Sequence, residues 1–398
     1  MSKYLHLKPM RSPASDPILI ARLQKLGFQG SYRSEDITFL LRQDHIQPIE
    51  IADKERLIQS GQAHYSEMIS LEAAPSPEHL HYFEHAMHAG ALRMAQEIQM
   101  LANRLRERFA NQAIILVSLV RAGVPIGVLL KHCILKHQAC FHYGISIIRD
   151  RGIDHAALHA IIAAHGADNI VFVDGWTGKG AIAQELSRSL RHWPELFDPD
   201  WDIPRLVTLA DVAGCAWLSA SADDWLIPSG ILGAVVSGLT SRTILIQDTD
   251  LALSQKNCFN PQHWHACILY PQLQSQDRSV EFIQRILQFI DTHPTTQQVQ
   301  WQQQHREQQL RYSQKSLDWI QQQYQINDIN RIKPSIAEAT RAVLRRVPDR
   351  ILVRDRNDPH VQLLLHLAQQ HQVAVDAVQT QLGPYRAVTL IQNINPQS

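Results

Sequence analysis

No charge of either sign predominates in this sequence: 38 Lys and Arg stand against 38 Asp and Glu, for a formal net charge of zero and a pI near 7.4. A whole-chain attraction to nucleic acid is thereby excluded, although single segments can still be basic. Cysteine is scarce. The five residues Cys133, Cys140, Cys215, Cys258 and Cys267 are odd in number and form no CxxC pattern, which argues for free thiols in a reducing cytoplasm rather than a disulfide framework. The opening stretch, MSKYLHLKPMRSP, lacks the apolar centre of a secretory signal. The longest run free of both charge and histidine, Trp225 to Ser241, contains Pro228 and three glycines; it reads as buried core or active-site loop, and no membrane partner is expected. Walker A and GxGxxG motifs are both missing, so neither a P-loop nor a dinucleotide fold has support.

What is present is centred on VFVDGWTGKGAIAQEL, Val171 to Leu186. Three apolar residues, Val171 to Val173, run into an acid, a Gly-rich turn and a helix, the pattern of a buried parallel strand whose carboxyl end opens onto a ligand site. Gly175, Gly178 and Gly180 allow close backbone approach, the helix start offers unpaired N–H groups and Lys179 adds a cation, all suited to phosphate. Asp174 is suited to a sugar hydroxyl or to a Mg²⁺ ion bridging to phosphates. The alternative is an ordinary strand-to-helix turn with a solvated lysine.

Along the chain, residues 1–75 show no clean period and are expected to form a hood. Residues 76–292 read as the core. Ser76 is placed to cap a helix with Pro77 in its first turn, and Leu80, Phe83, Met87, Ala91, Met94, Ile98, Leu101 and Leu105 keep helical spacing. Strands follow at 113–119, 141–148, 171–173, 206–209 and 243–246, with a helix at 155–165 among them. This alternation predicts an α/β fold with a doubly wound parallel sheet. Residues 293–332 form a Gln-rich helical connector with Leu310, Leu317 and Ile320 as sparse contacts. Residues 333–398 read as a small α/β unit, and from Arg331 onward nine basic residues face five acids, a balance that permits RNA contact without requiring it.

A second turn at a strand end, LVRAGVPIG from Leu119 to Gly127, pairs Arg121 with Ala122 and Gly123, whose backbone could also meet an anion. These two loops resemble those of type I phosphoribosyltransferases. The resemblance implies transfer of ribose 5-phosphate from 5-phosphoribosyl-1-pyrophosphate (PRPP), with Mg²⁺, to a base-like acceptor. On that reading Arg121, Ala122 and Gly123 hold pyrophosphate, Asp174 the ribose, and Thr177 to Gly180 the 5′-phosphate. Arg149 and Arg151 cover the pyrophosphate, Ser237, Ser241 and Arg242 line the acceptor pocket, and a homodimer is expected. The usual pair of adjacent acids is here Asp174 and Gly175.

More closely, HYSEMI, SLVRAGVPIG, VFVDGWTGKG and IPSGILGAVVSGLTSRTI are similar to a bacterial family of tellurite-resistance-type stress gene clusters, predicted phosphoribosyltransferases that carry the label cysteine protease StiP. The C-terminal unit, ending GPYRAVTLIQ, resembles the pelota-type RNA-binding domain. The protease label implies a thiol nucleophile, for which Cys215 is best placed, with His64 or His155 as candidate bases; a third alternative is a non-catalytic PRPP and RNA sensor. Two metal patterns are weaker. HYFEH, His81 to His85, matches an inverted zinc motif, and Cys258, His263, His265 and Cys267 form a C-x4-H-x-H-x-C series. A solvated helix face and a chance cluster are the ordinary explanations.

Overall fold

The fold is described from a computed structural model, which covers residues 15–245 and 255–393. The first helix, α1 (Pro17–Leu26), is capped by Asp16, whose carboxylate accepts from the Ile18 and Leu19 N–H groups. Strand β1 (Thr38–Phe39) and helix α2 (Ile51–Gln59) follow, then the long α3 (Pro77–Arg108). The Ser76 hydroxyl accepts from the His79 N–H at 3.1 Å, and the helical stripe read from the sequence is buried from Phe83 to Leu105.

The core then alternates: β2 (Ile114–Leu119), α4 (Gly123–Leu135), β3 (Cys140–Ile145), α5 (His155–His165), β4 (Ile170–Thr177), α6 (Ala181–Ser189), β5 (Leu206–Asp211), β6 (Leu218–Ser221) and, after a long loop region, α7 (Ser279–Thr292). The six strands form one sheet in the order β1-β3-β2-β4-β5-β6, and every pairing is parallel. Such strands are covered on both faces and so read as continuous apolar runs. Helices α3, α4 and α7 pack on one face, and α1, α5 and α6 on the other. The expected doubly wound parallel sheet is present. The N-terminal segment enters it: β1 pairs with β3, so this part of the hood lies within the core. The strand expected at 243–246 is not formed over its described part. Ile244 makes only an isolated antiparallel bridge to Ala266, and Ile246 lies outside the described residues.

Beyond the core, α8 (Gln303–Gln323) leads to a second sheet of β7 (Ile332–Pro334), β8 (Pro348–Val353), β9 (Ala374–Ala377) and β10 (Ala387–Ile391), packed with α9 (Ile336–Arg345) and α10 (Gln362–Gln370). Its strand order is β7-β10-β8-β9. The Gln-rich helix is more than an exposed connector. Ser313, Ser316, Leu317 and Ile320 are buried, and Gln309 and Ser313 donate to the Val212 and Ala213 carbonyls. The C-terminal unit is fastened to the core by the buried Asp224, which accepts from the Ile336 and Arg386 N–H groups. No helix among the described residues is long and apolar enough to cross a membrane.

Candidate functional site

Strand β2 lies at the centre of the sheet; β3 continues to one side of it and β4 to the other. The carboxyl ends of β2 and β4 therefore bound the crevice at which open α/β sheets take ligands. A cavity of about 1070 Å³ opens there. The core supplies Arg121, Ala122 and the 174–180 loop, α2 supplies Lys54, and the C-terminal unit supplies Lys333, Glu338, Arg341, Arg345 and Arg346. Eleven basic and five acidic side chains line it.

The structure brings both sequence-predicted loops to this cleft, but their polar groups have partners inside the protein. Arg121, 5% exposed, donates to Glu72 and to the Thr240 carbonyl at 2.7 Å. Glu72 in turn accepts from Arg345 at 2.7 Å and from the Ala234 N–H at 2.8 Å. Burial opposes its charge, yet the two guanidinium groups hold its carboxyl at about 2. Arg121 is thus half of an internal ion pair rather than an open pyrophosphate ligand. The Thr177 hydroxyl donates to Asp211 and accepts from the Ala213 N–H at 2.9 Å. Lys179 donates to the carbonyls of Ile329 at 2.6 Å and Ile332 at 3.3 Å.

Glycine has clear reasons in this loop. Gly180 lies at φ +80°, and a Cβ on Gly178 would come within 2.3 Å of the Glu338 carboxylate and 2.9 Å of the Pro334 carbonyl. The Gly178 carbonyl also accepts from the Tyr385 hydroxyl at 3.0 Å. The loop that suits a phosphate in sequence is instead the seat of the C-terminal unit. Gly175 is close to the other loop, with the Ala122 carbonyl 3.1 Å from where its Cβ would stand, and Gly123 lies against the Val173 carbonyl. Asp174 accepts from its neighbour's N–H, that of Gly175, at 2.8 Å, and burial pushes its carboxyl up to about 7.

The remaining candidates divide. Arg149 faces the cleft and donates to Asn330 at 2.9 Å, and Arg151, also on the cleft wall, lies 3.6 Å from Glu67. Arg242 lines the cleft, donates to the Tyr65 and Met68 carbonyls and packs over the Tyr65 ring. Ser237 and Ser241 do not line it. Both are buried; the Ser237 carbonyl accepts from Thr240, and the Ser241 hydroxyl donates to the Arg242 carbonyl.

Metal chemistry has little to stand on. Among the described residues no group of three or more His, Cys, Asp or Glu could hold an ion. His81 and His85 are exposed, Cys267 is in the core, and the His265 ring is hydrogen-bonded to Ser146 at 2.7 Å. For Mg²⁺, the two of the five cleft acids that stand at the 174–180 loop are Asp174 and Glu338. Burial favours the neutral form of both, so the cleft as built suits an anion better than a bare cation.

Cys215 sits behind the loop and off the cleft wall. Its sulfur lies against Gly180, where a Cβ would approach to 2.5 Å, and it contacts the Ala213 carbonyl at 3.7 Å. Burial, then the Asp211 charge, pushes the thiol up to about 12. Among the described residues no hydrogen bond joins a thiol to a histidine. His64 instead caps a turn through Ser66, and His155 packs on Trp193.

Comparison with known proteins supplies the family. Residues 30–287 match the family described as tellurite-like stress resistance cysteine protease StiP. The chain belongs to the StiP family. A curated relative, cysteine protease StiP of Acinetobacter baylyi, is 55% identical over 372 residues, covering 93% of this chain and 96% of its own. Residues 311–393 match the PELOTA RNA binding domain. These matches correct the expected activity. Both StiP descriptions name a cysteine protease, and phosphoribosyl transfer is overturned as the reading of this StiP-family chain. The internal engagement of Arg121, Thr177 and Lys179 is the physical counterpart of that correction.

Sequence reasoning missed Glu72, Lys54 and the C-terminal wall. One signal was available: Glu338, Arg341 and Arg345 fall at i, i+3 and i+7 and share a helix face.

Proposed function

We propose that the chain is a hydrolase of the cysteine-protease kind, acting in a reducing cytoplasm within a tellurite-like stress response, with Cys215 as its nucleophile and RNA as the partner of its C-terminal unit. The observation that carries this reading is the 55% identity to a curated cysteine protease over nearly the whole of both chains. The five free cysteines suit that compartment. Of these thiols, Cys215 is the one that abuts the cleft loop and the first turn of α6, where the positive end of a helix favours a thiolate. In the described arrangement burial and Asp211 outweigh that effect. Activation therefore belongs to an open state, in which the 177–180 loop has moved off the sulfur and a base has reached it. There the thiolate attacks a peptide carbonyl, the amine leaves, and water resolves the thioester.

Hydrolysis of an unfolded protein substrate by the full chain, with and without added RNA, tests this reading. Cys215→Ala is expected to abolish cleavage and Cys258→Ala to retain it. Cleavage that survives Cys215→Ala, or a wild-type chain inactive under both conditions, overturns the assignment.

A further inference from the structure

Among the cations of the cleft that have no hydrogen-bonded carboxylate among the described residues, four come from four separate segments. Lys54 of α2 is only 7% exposed, yet its ammonium makes no hydrogen bond among the described residues, and Arg242 donates only to carbonyls. The Lys333 ammonium of β7 likewise has no hydrogen-bonded partner among the described residues, Glu338 being the acid that acts on it. Arg341 of α9 stacks 4.6 Å from the Trp176 ring, with its Nε buried and without an acceptor. The acids nearby do not balance them. Glu55 accepts from Arg346, and Glu72 accepts from Arg121 and Arg345. Glu338 and Asp174 are held toward their neutral forms by burial. Mutual repulsion is visible in the ionisation of the lysines. Burial, reinforced by Arg242, Arg345 and Arg346, brings Lys54 down to about 7, and burial with Lys179 and Arg346 does the same to Lys333.

Buried charges are ordinarily paired. A set that is not paired internally, lining a cavity of about 1070 Å³, calls for a multiply charged anion from outside. Phosphate groups fit, since each accepts several charge-assisted hydrogen bonds. The volume exceeds that of a lone phosphate, and the Tyr65 ring, flanked by Arg149 at 5.3 Å and Arg242 at 5.5 Å, offers an aromatic wall. Lys333 and Arg341 belong to the segment that matches an RNA-binding domain.

We propose that the cleft binds a nucleoside phosphate, free or as the phosphorylated end of an RNA, with its phosphate groups held between Lys54 of α2 and Lys333 and Arg341 of the C-terminal unit. The site is distinct from the Cys215 sulfur, which is not on the cleft wall, and does not rest on the hydrolase reading.

The test uses the full chain, titrated calorimetrically with ADP and by fluorescence anisotropy with short single-stranded RNA bearing a 5′-phosphate or a 5′-hydroxyl. Lys54→Met and Arg341→Met are each expected to weaken binding about tenfold or more, the scale of a lost charge-assisted hydrogen bond. Arg350→Met, which removes an ion pair with Asp376 away from the cleft, is expected to leave binding unchanged. Tight ADP binding identifies a free nucleotide as the source; preference for the 5′-phosphate RNA over the 5′-hydroxyl RNA identifies an RNA end. Thermal melting without ligand guards against misfolding, because Lys54→Met removes an unpaired buried charge and is expected to melt no lower than wild type. The proposal is overturned by equal binding of the two RNAs with no binding of ADP, by absence of all binding, or by both Met variants binding as wild type does.

Discussion

The Tyr385 hydroxyl donates to the Gly178 carbonyl at 3.0 Å, joining residues 207 positions apart in the chain. One belongs to the turn before β10 of the C-terminal unit, the other to the loop that ends β4. This bond, with Glu338 against the Gly178 backbone and Lys179 held by the Ile329 and Ile332 carbonyls, makes the C-terminal unit the lid and one wall of the cleft. Any ligand or substrate must therefore meet both parts of the chain.

Replacing Tyr385 with Phe removes that bond, together with the hydroxyl's interaction with Ser313. The ring stays buried while the Gly178 carbonyl loses its partner, at a cost of about 1 to 3 kcal/mol. The expected result is a lower urea midpoint with an unchanged slope. An unaltered midpoint shows that the hydroxyl is not engaged in solution.

Glu72 holds two arginines from opposite walls, Arg121 of the core and Arg345 of α9. Glu72→Gln leaves the buried Arg121 and the partly buried Arg345 without a countercharge, and removing one partner of such a network costs about 3 to 5 kcal/mol. The same pairing sets an acid limit. Its folded pKa, about 2, lies below the unfolded value of about 4.3, so its contribution is complete above the unfolded value and is lost as pH falls toward 2. Acid titration of stability is expected to be shallower in Glu72→Gln than in wild type over that window; parallel curves sink the assignment.

The sheet was legible because buried parallel strands must be apolar throughout: β2 starts within one residue of the predicted 113–119, β5 begins at the predicted 206, and β4 extends beyond its predicted core at 171–173. That the two strand-end loops meet at one cleft was legible for a related reason, since loops at the carboxyl edge of a parallel sheet face a common crevice. The partner of each charge was not legible. An arginine that binds an external anion and one that binds an internal carboxylate look alike in sequence, and Glu72 lies 49 positions before Arg121. The cover provided by α9 was hidden as well. The arginines of the C-terminal unit read as part of a mildly basic surface, whereas Arg341 and Arg345 of α9 face into the cleft and Arg386, before β10, is taken up by Asp358 and Asp223.

Gly178→Ala probes the docking of the C-terminal unit sterically. The new methyl would stand 2.3 Å from the Glu338 carboxylate and 2.9 Å from the Pro334 carbonyl, and the second of these, being backbone, cannot turn aside. The expected outcome is a C-terminal unit displaced from the loop, read as faster amide exchange in β7 and α9 than in wild type, while β2 to β5 keep their protection. Uniformly unchanged exchange contradicts the close packing at this loop.

Lys54 gives a prediction at the basic end of the pH range. Its folded pKa of about 7 lies below the unfolded value of about 10.4, so between these values the unfolded chain binds more protons and stability rises with pH. The cause is burial, followed by the charges of Arg242, Arg345 and Arg346; as the ammonium loses its proton, that repulsion disappears. Lys333 behaves in the same sense, so Lys54→Met is expected to reduce the rise without removing it. The variant should also be the more stable protein near pH 7 in the absence of ligand, with the gap closing toward pH 10. Chemical denaturation at intervals from pH 6.5 to about 10 measures both curves. A gap that stays constant across the range shows that Lys54 keeps an ordinary pKa, and then the cleft holds its charge by some other compensation than the one described.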